Sequence, residues 1–95
     1  MSADAAADAR VLPAGFEALE PFVATWALPT QGERRARRLA SPMADIQAFY
    51  DAILPHMQAI AAHLNGFALD ALPAPERRVL HLAYAFMAVA PAVEI

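Results

Sequence analysis

Apolar residues recur at helical spacing along most of the chain, and no stretch alternates as a half-buried strand does. The longest run lies between residues 43 and 65 and keeps its phase for about five turns. Its apolar stripe consists of Ile46, Phe49, Tyr50, Ile53, Leu54, Met57, Ile60, Ala61 and Leu64. A second run covers about residues 75–90. The pattern therefore predicts an all-α fold, a small bundle of three to four helices.

The third predicted helix covers about residues 43–65. Ser41 and Pro42 form a start signal, an N-capping serine followed by proline at the first helical position. Asn65 and Gly66 form a stop signal. Pro55 lies in the middle, where it either kinks one long helix or divides two short ones. The unbroken phase favours a kink.

The last predicted helix covers about residues 75–90 and is expected to end at Pro91. Only a short linker separates it from the third helix, so the two should pack antiparallel. The linker should turn Phe67 and Leu69 inward.

The sequence of the N-terminal half predicts two shorter helices. The first covers Glu17 to Ala27, with Pro21 in its first turn. The second covers about Gln31 to Leu39, and Thr30 and Glu33 form its capping box. Residues 1–12 are rich in alanine and aspartate with little to bury, which predicts a disordered tail. Residues 13–95 then form a single helical domain.

The amino-acid composition excludes several kinds of functional site and partner. The chain has no cysteine, which excludes disulfides, thiolate catalysis and iron–sulfur clusters. All seven basic residues are arginine, a bacterial-like bias that carries no functional meaning here. The net charge of −3 argues against nucleic acid or an anionic membrane as partner. No signal peptide or membrane-spanning run is present, so a cytoplasmic protein without a cofactor is expected.

The histidines are the first candidate for chemistry. His56 and His63 lie on one helical face with Asp45, but two turns separate the imidazoles, too far for one metal ion. His81 and Tyr84 could form an acid–base pair, yet no nucleophile or orienting carboxylate accompanies them. We therefore predict no metal site and no catalytic residue.

The only charge cluster covers residues 33–38 and holds four arginines. It could bind phosphate, but a solvated helical face with an ion pair between Glu33 and Arg37 explains it better. The following break also suits a helix-turn-helix motif. In that motif the next helix would place Asp45, Gln47 and Asp51 against the bases, where the carboxylates would be repelled. DNA binding is thus the third hypothesis.

The last helix is apolar nearly all round, which predicts partners on more than one side. The third helix can cover one face of the last helix, whereas the sequence does not show what covers the other face. Such an apolar surface is most commonly buried in a symmetric homodimer, in which the same surface of two copies forms the interface. Its interface is predicted at Leu82, Phe86, Met87 and Val89.

Two functional hypotheses follow from these patterns. The first is a small non-catalytic interaction or accessory protein, which binds a second copy of itself or a larger protein partner through its apolar helical surface. The alternative is a helical protein that binds a small apolar ligand, or an enzyme that acts on such a ligand. Its pocket would be lined by Tyr50, Met57, His81 and Tyr84.

Overall fold

All regular structure in the computed structural model, which describes residues 11–94, is helical, and no strand occurs in this range. The α-helices are α1 (Val23–Trp26), α2 (Gln31–Ala40), α3 (Met43–Ile53), α4 (Met57–Leu64) and α5 (Ala74–Glu94). Three short 3-10 segments accompany them, at Glu17–Phe22, Leu54–His56 and Leu69–Ala71. The predicted all-α bundle is confirmed.

Helix α5 is the centre of the bundle, because α1, α2, α3 and α4 all pack against it. Tyr50 of α3 bonds to Glu94 at the end of α5, whereas His63 of α4 bonds to Glu76 near its beginning. The chain from α3 to α4 therefore runs antiparallel to α5, as predicted. Its apolar side chains form one core that also takes in Leu19 and Trp26 from the N-terminal half.

The third predicted helix is interrupted at Pro55. Proline has no N–H to donate to the carbonyl four residues earlier, and the chain tightens there into the 3-10 turn Leu54–His56. Ile53 and Ile60, one on each side of this turn, are both buried in the same core. The turn thus separates α3 from α4 without changing the face that each presents to α5.

Helix α5 is longer than predicted, because it continues through Pro91 to Glu94. A proline at position 91 removes the hydrogen bond to the carbonyl of Met87. Met87 and Pro91 are both exposed, so water can satisfy that carbonyl. Beyond the proline, Val93 packs against the core, which favours continuation of the helix.

The first predicted α-helix is a 3-10 helix for most of its length. Glu17–Phe22 is a 3-10 helix, and α-helical geometry begins only at Val23, after Pro21. This segment nevertheless turns its large apolar side chains inward, since Phe16, Leu19 and Trp26 are buried.

Helix α2 begins as its capping box predicts. The backbone N–H of Glu33 donates to the Thr30 hydroxyl at 3.2 Å, and that hydroxyl donates to the Glu33 carboxylate at 2.8 Å. Ser41, by contrast, does not cap the next helix. Its hydroxyl donates to the Arg37 carbonyl at 2.7 Å, so it completes the end of α2, and α3 starts after Pro42.

The packed chain begins earlier than the predicted boundary between residues 12 and 13. Leu12 is buried in the core, and the Glu20 carboxylate accepts the backbone N–H groups of Val11 and Leu12 at 2.8–3.2 Å. Arg78 of α5 donates to the Val11 carbonyl at 3.0 Å. Residues 1–10 of the predicted tail lie outside the described residues.

In the linker between α4 and α5, Phe67 packs against the core as predicted. Leu69 was also predicted to turn inward, but it is 65% exposed, and Leu72 is the leucine of the linker that is buried. Across residues 11–94, no helix combines the length and the apolar character needed to cross a membrane.

Candidate functional site

An open cleft of about 460 Å³ lies between α2 and α5. We call it the arginine cleft. It is lined by Gln31, Arg34, Arg35 and Arg38 of α2 and by Tyr84, Met87 and Ala88 of α5. On each helix these residues are three or four positions apart, so they share one face.

Arg34 holds the two walls of the cleft together. Its Nη1 donates to the Leu28 carbonyl at 2.7 Å, and its guanidinium carbon lies 5.0 Å from the centre of the Tyr84 ring. A guanidinium at this distance from an aromatic ring makes a favourable cation–π contact. Arg34 is therefore fixed in position, and one face of the Tyr84 ring is covered.

Arg35 and Arg38 are held by nothing comparable. Neither guanidinium group makes a hydrogen bond or an ion pair within residues 11–94. The predicted ion pair between Glu33 and Arg37 is likewise absent from this range, because the Glu33 carboxylate bonds to Thr30. No acidic side chain from residues 11–94 lines the cleft, so three like charges share one helical face, an arrangement that costs stability until an anion neutralises it.

Apolar surface adjoins these charges. Met87 is 60% exposed and Tyr84 is 39% exposed, and both line the cleft opposite the arginines. Met87 is a flexible and polarisable side chain that adapts readily to the shape of a binding partner. The cleft thus combines unpaired cationic donors with an adjacent exposed apolar side chain.

The four predicted pocket residues do not form one pocket. Tyr84 lines the arginine cleft, but Tyr50 lies on another side of α5, where it stacks on Phe86 with 5.4 Å between ring centres. The hydroxyl of Tyr50 donates to the Glu94 carboxylate at 2.6 Å, and this bond raises the pKa of Tyr50. Met57 packs half-buried against the core, and His81 is half-buried on α5.

Of the four predicted interface residues, only Met87 is well exposed. Leu82 and Val89 are completely buried within the chain, so neither can contact a second chain while the fold is intact. Phe86 is half-buried beneath Tyr50. The other helices of the same chain therefore cover most of the apolar surface of α5, which the sequence left uncertain.

The histidines pack at the edge of the core. His56 and His63 both meet the Phe16 ring edge-on, with 6.4 and 5.5 Å between ring centres. His63 also bonds to the buried carboxylate of Glu76, with 3.0 Å between Nε2 and Oε2. Within residues 11–94, no three histidine, aspartate or glutamate side chains converge where they could hold a metal ion.

His81 lies one turn before Tyr84 on α5, and its titration should affect stability. Burial lowers the pKa of His81, and the positive charges of Arg34 and Arg77 lower it further. The folded protein therefore favours neutral His81, whereas the unfolded chain binds a proton below pH about 6.5. The stability that depends on neutral His81 is complete above this pH and is lost as the pH falls through the lowered pKa.

We therefore expect the free energy of unfolding to fall between about pH 7.5 and about pH 5.5, and to fall less in His81→Gln. Urea unfolding of both proteins at the two pH values measures the difference. Equal losses in the two proteins would show that His81 does not contribute to the pH dependence.

No family model matches this chain, and no curated protein or solved structure shows significant similarity to it.

The arginine cleft was not predicted from the sequence, because Arg34, Arg35 and Arg38 were expected to form a solvated helical face. One signal could have found it: Gln31, Arg34, Arg35 and Arg38 share a helical face on which no acidic residue lies.

Proposed function

We propose that this protein is a non-catalytic interaction protein that binds a larger protein partner through the arginine cleft. The observation that carries the proposal is the placement of exposed Met87 and Tyr84 beside two unpaired arginines, Arg35 and Arg38. Arginine, tyrosine and methionine are enriched where proteins bind each other. We also propose a cytoplasmic location.

A different protein suits the cleft better than a second copy of the chain. In a two-fold symmetric dimer with Met87 at the seam, Arg35 and Arg38 of one copy would approach the same residues of the other. Such like-charge contacts are unfavourable at an interface. The cleft therefore favours a different protein as partner over the homodimer expected from the sequence.

A small-molecule ligand is the second candidate, because about 460 Å³ falls within the range of ligand pockets. Such pockets usually enclose most of the ligand surface, whereas the arginine cleft is open to solvent along its length. A small ligand would leave much of its surface in water there. A protein segment, which covers the cleft from outside, uses the same surface more fully.

Site-specific photo-crosslinking in the organism that makes the protein tests the proposal. A photoreactive phenylalanine analogue is placed at Met87, and a matched control carries it at Leu69, which is equally exposed but lies beyond the other end of α5. We expect a discrete protein adduct from position 87 and none from position 69.

The mass of the adduct separates the alternatives. An adduct of about twice the 10.2 kDa chain mass would identify the homodimer and would contradict a larger partner. Absence of any protein adduct at position 87 would overturn the interaction surface itself.

A further inference from the structure

The charge of the arginine cleft indicates what kind of partner it binds. Arg34, Arg35 and Arg38 contribute three positive charges, and no carboxylate from the described chain lines the cleft to balance them. A guanidinium binds a carboxylate through two parallel hydrogen bonds, which fix its geometry as well as add affinity. The group that complements Arg35 and Arg38 is therefore an anion, and in a protein partner that anion is aspartate or glutamate.

The shape and apolar content of the cleft add a second requirement. Its walls are two helices, so it forms a groove along which a segment of chain can lie. Met87 projects from one wall with 60% of its surface exposed. A large apolar side chain on the segment would cover Met87, while neighbouring carboxylates reach the arginines on the opposite wall.

Nucleic acid meets these requirements less well. Among residues 11–94, Tyr84 is the only aromatic residue that lines the cleft, and Arg34 already covers one face of its ring, which limits stacking of a base. The chain as a whole carries a net charge of −3, which repels a long polyanion beyond the three arginines. A short acidic segment pairs with the cleft and avoids the rest of the surface.

We propose that the arginine cleft binds an acidic, amphipathic segment of a partner protein. Carboxylates of the segment pair with Arg35 and Arg38, a large apolar side chain packs on Met87, and Arg34 holds the Tyr84 wall in place. This inference rests on the proposed function, since it specifies the chemistry of the partner at the same surface.

Selection from a phage-displayed library of random peptides on the immobilised protein provides the test, because the library assumes nothing about the sequence that binds. We expect the enriched peptides to carry aspartate or glutamate beside leucine, phenylalanine or tryptophan. Their affinity should fall as the salt concentration rises, since exposed charge pairs are screened.

Two variants of α2 make the matched comparison. Arg35→Glu reverses a charge inside the cleft, whereas Arg37→Glu makes the same change on another side of the helix, in a separate depression with Leu28 and Ala36. We expect Arg35→Glu to weaken binding of the selected peptides about 100-fold and Arg37→Glu to weaken it less than about threefold. Far-UV circular dichroism confirms that both variants are folded.

The remaining outcomes overturn the inference. Enriched peptides without acidic residues, or equal effects of the two variants, would show that charge pairing does not select the partner. Failure to enrich any peptide would do the same. A single-stranded oligonucleotide that binds more tightly than the best peptide would assign the cleft to nucleic acid. In each case the crosslink at Met87 reports separately whether the surface binds a protein.

Discussion

Phe49→Ala is expected to lower the free energy of unfolding by about 3–5 kcal/mol. The Phe49 side chain is completely buried, and its ring stacks on Trp26 with 4.9 Å between centres and 9° between planes. The Phe22 ring contacts it as well, with 5.7 Å between centres. Alanine would leave a cavity between α3 and the N-terminal segment, and domains of this size have only about 5–15 kcal/mol to lose.

Urea unfolding followed by far-UV circular dichroism measures this loss. Leu54→Ala is the matched control, because Leu54 is close in sequence but 46% exposed, and it should cost less than about 1 kcal/mol. A similar loss in the two variants would contradict the position of Phe49 at the centre of the core.

The buried face of the third predicted helix could be identified from the sequence because helical periodicity reports it directly. Five residues of that stripe are buried, namely Ile46, Phe49, Ile53, Ile60 and Leu64, whereas Leu54 and Ala61 at its edges are exposed. Pro55 does not disturb this agreement. The 3-10 turn that it causes is short, so the apolar positions on both sides still face α5.

The end of the last helix could not be predicted, because the cost of a proline depends on its surroundings. Pro91 was expected to stop α5, and a proline facing the core would do so. Pro91 instead lies on the exposed side with Met87, and the core contact of Val93 lies beyond it. Neither fact follows from the local sequence, because both depend on how α5 sits among the other helices.

The local sequence shows the unbalanced arginine face of α2, but it could not show the cleft that this face forms with α5. Arg34 and Tyr84 are 50 positions apart in the sequence, and only the packing of α2 against α5 brings them into contact. Helix α2 contains no buried residue, so its apolar pattern gave no sign of the face that meets α5. The sequence placed Met87 among four predicted interface residues but could not show which charges surround it.

The same long-range packing creates the contact between His63 and Glu76, whose removal we expect to destabilise the fold. Glu76 is buried near the beginning of α5, and the His63 ring is the side chain that bonds to its carboxylate. The ring also packs against Phe16 and Phe67, each with 5.5 Å between centres. His63→Ala removes the partner of a buried carboxylate together with these ring contacts.

We expect His63→Ala to lower the free energy of unfolding by about 2–3 kcal/mol. The positive end of the α5 dipole favours the carboxylate of Glu76 and keeps the loss below that of an isolated buried charge. Replacing Glu76 with glutamine removes the charge while keeping the shape of the side chain. In the Glu76→Gln background, His63→Ala should therefore cost about 1 kcal/mol less, because the uncharged amide is less expensive to leave unpaired.

Urea unfolding of the wild type, the two single variants and the double variant completes this thermodynamic cycle. If His63→Ala costs the same in both backgrounds, the negative charge of Glu76 adds nothing to the contact with His63. A coupling of about 1 kcal/mol would instead show that the pair stabilises the junction between α4 and α5. That junction anchors the beginning of α5, the helix whose other end carries Met87 into the arginine cleft.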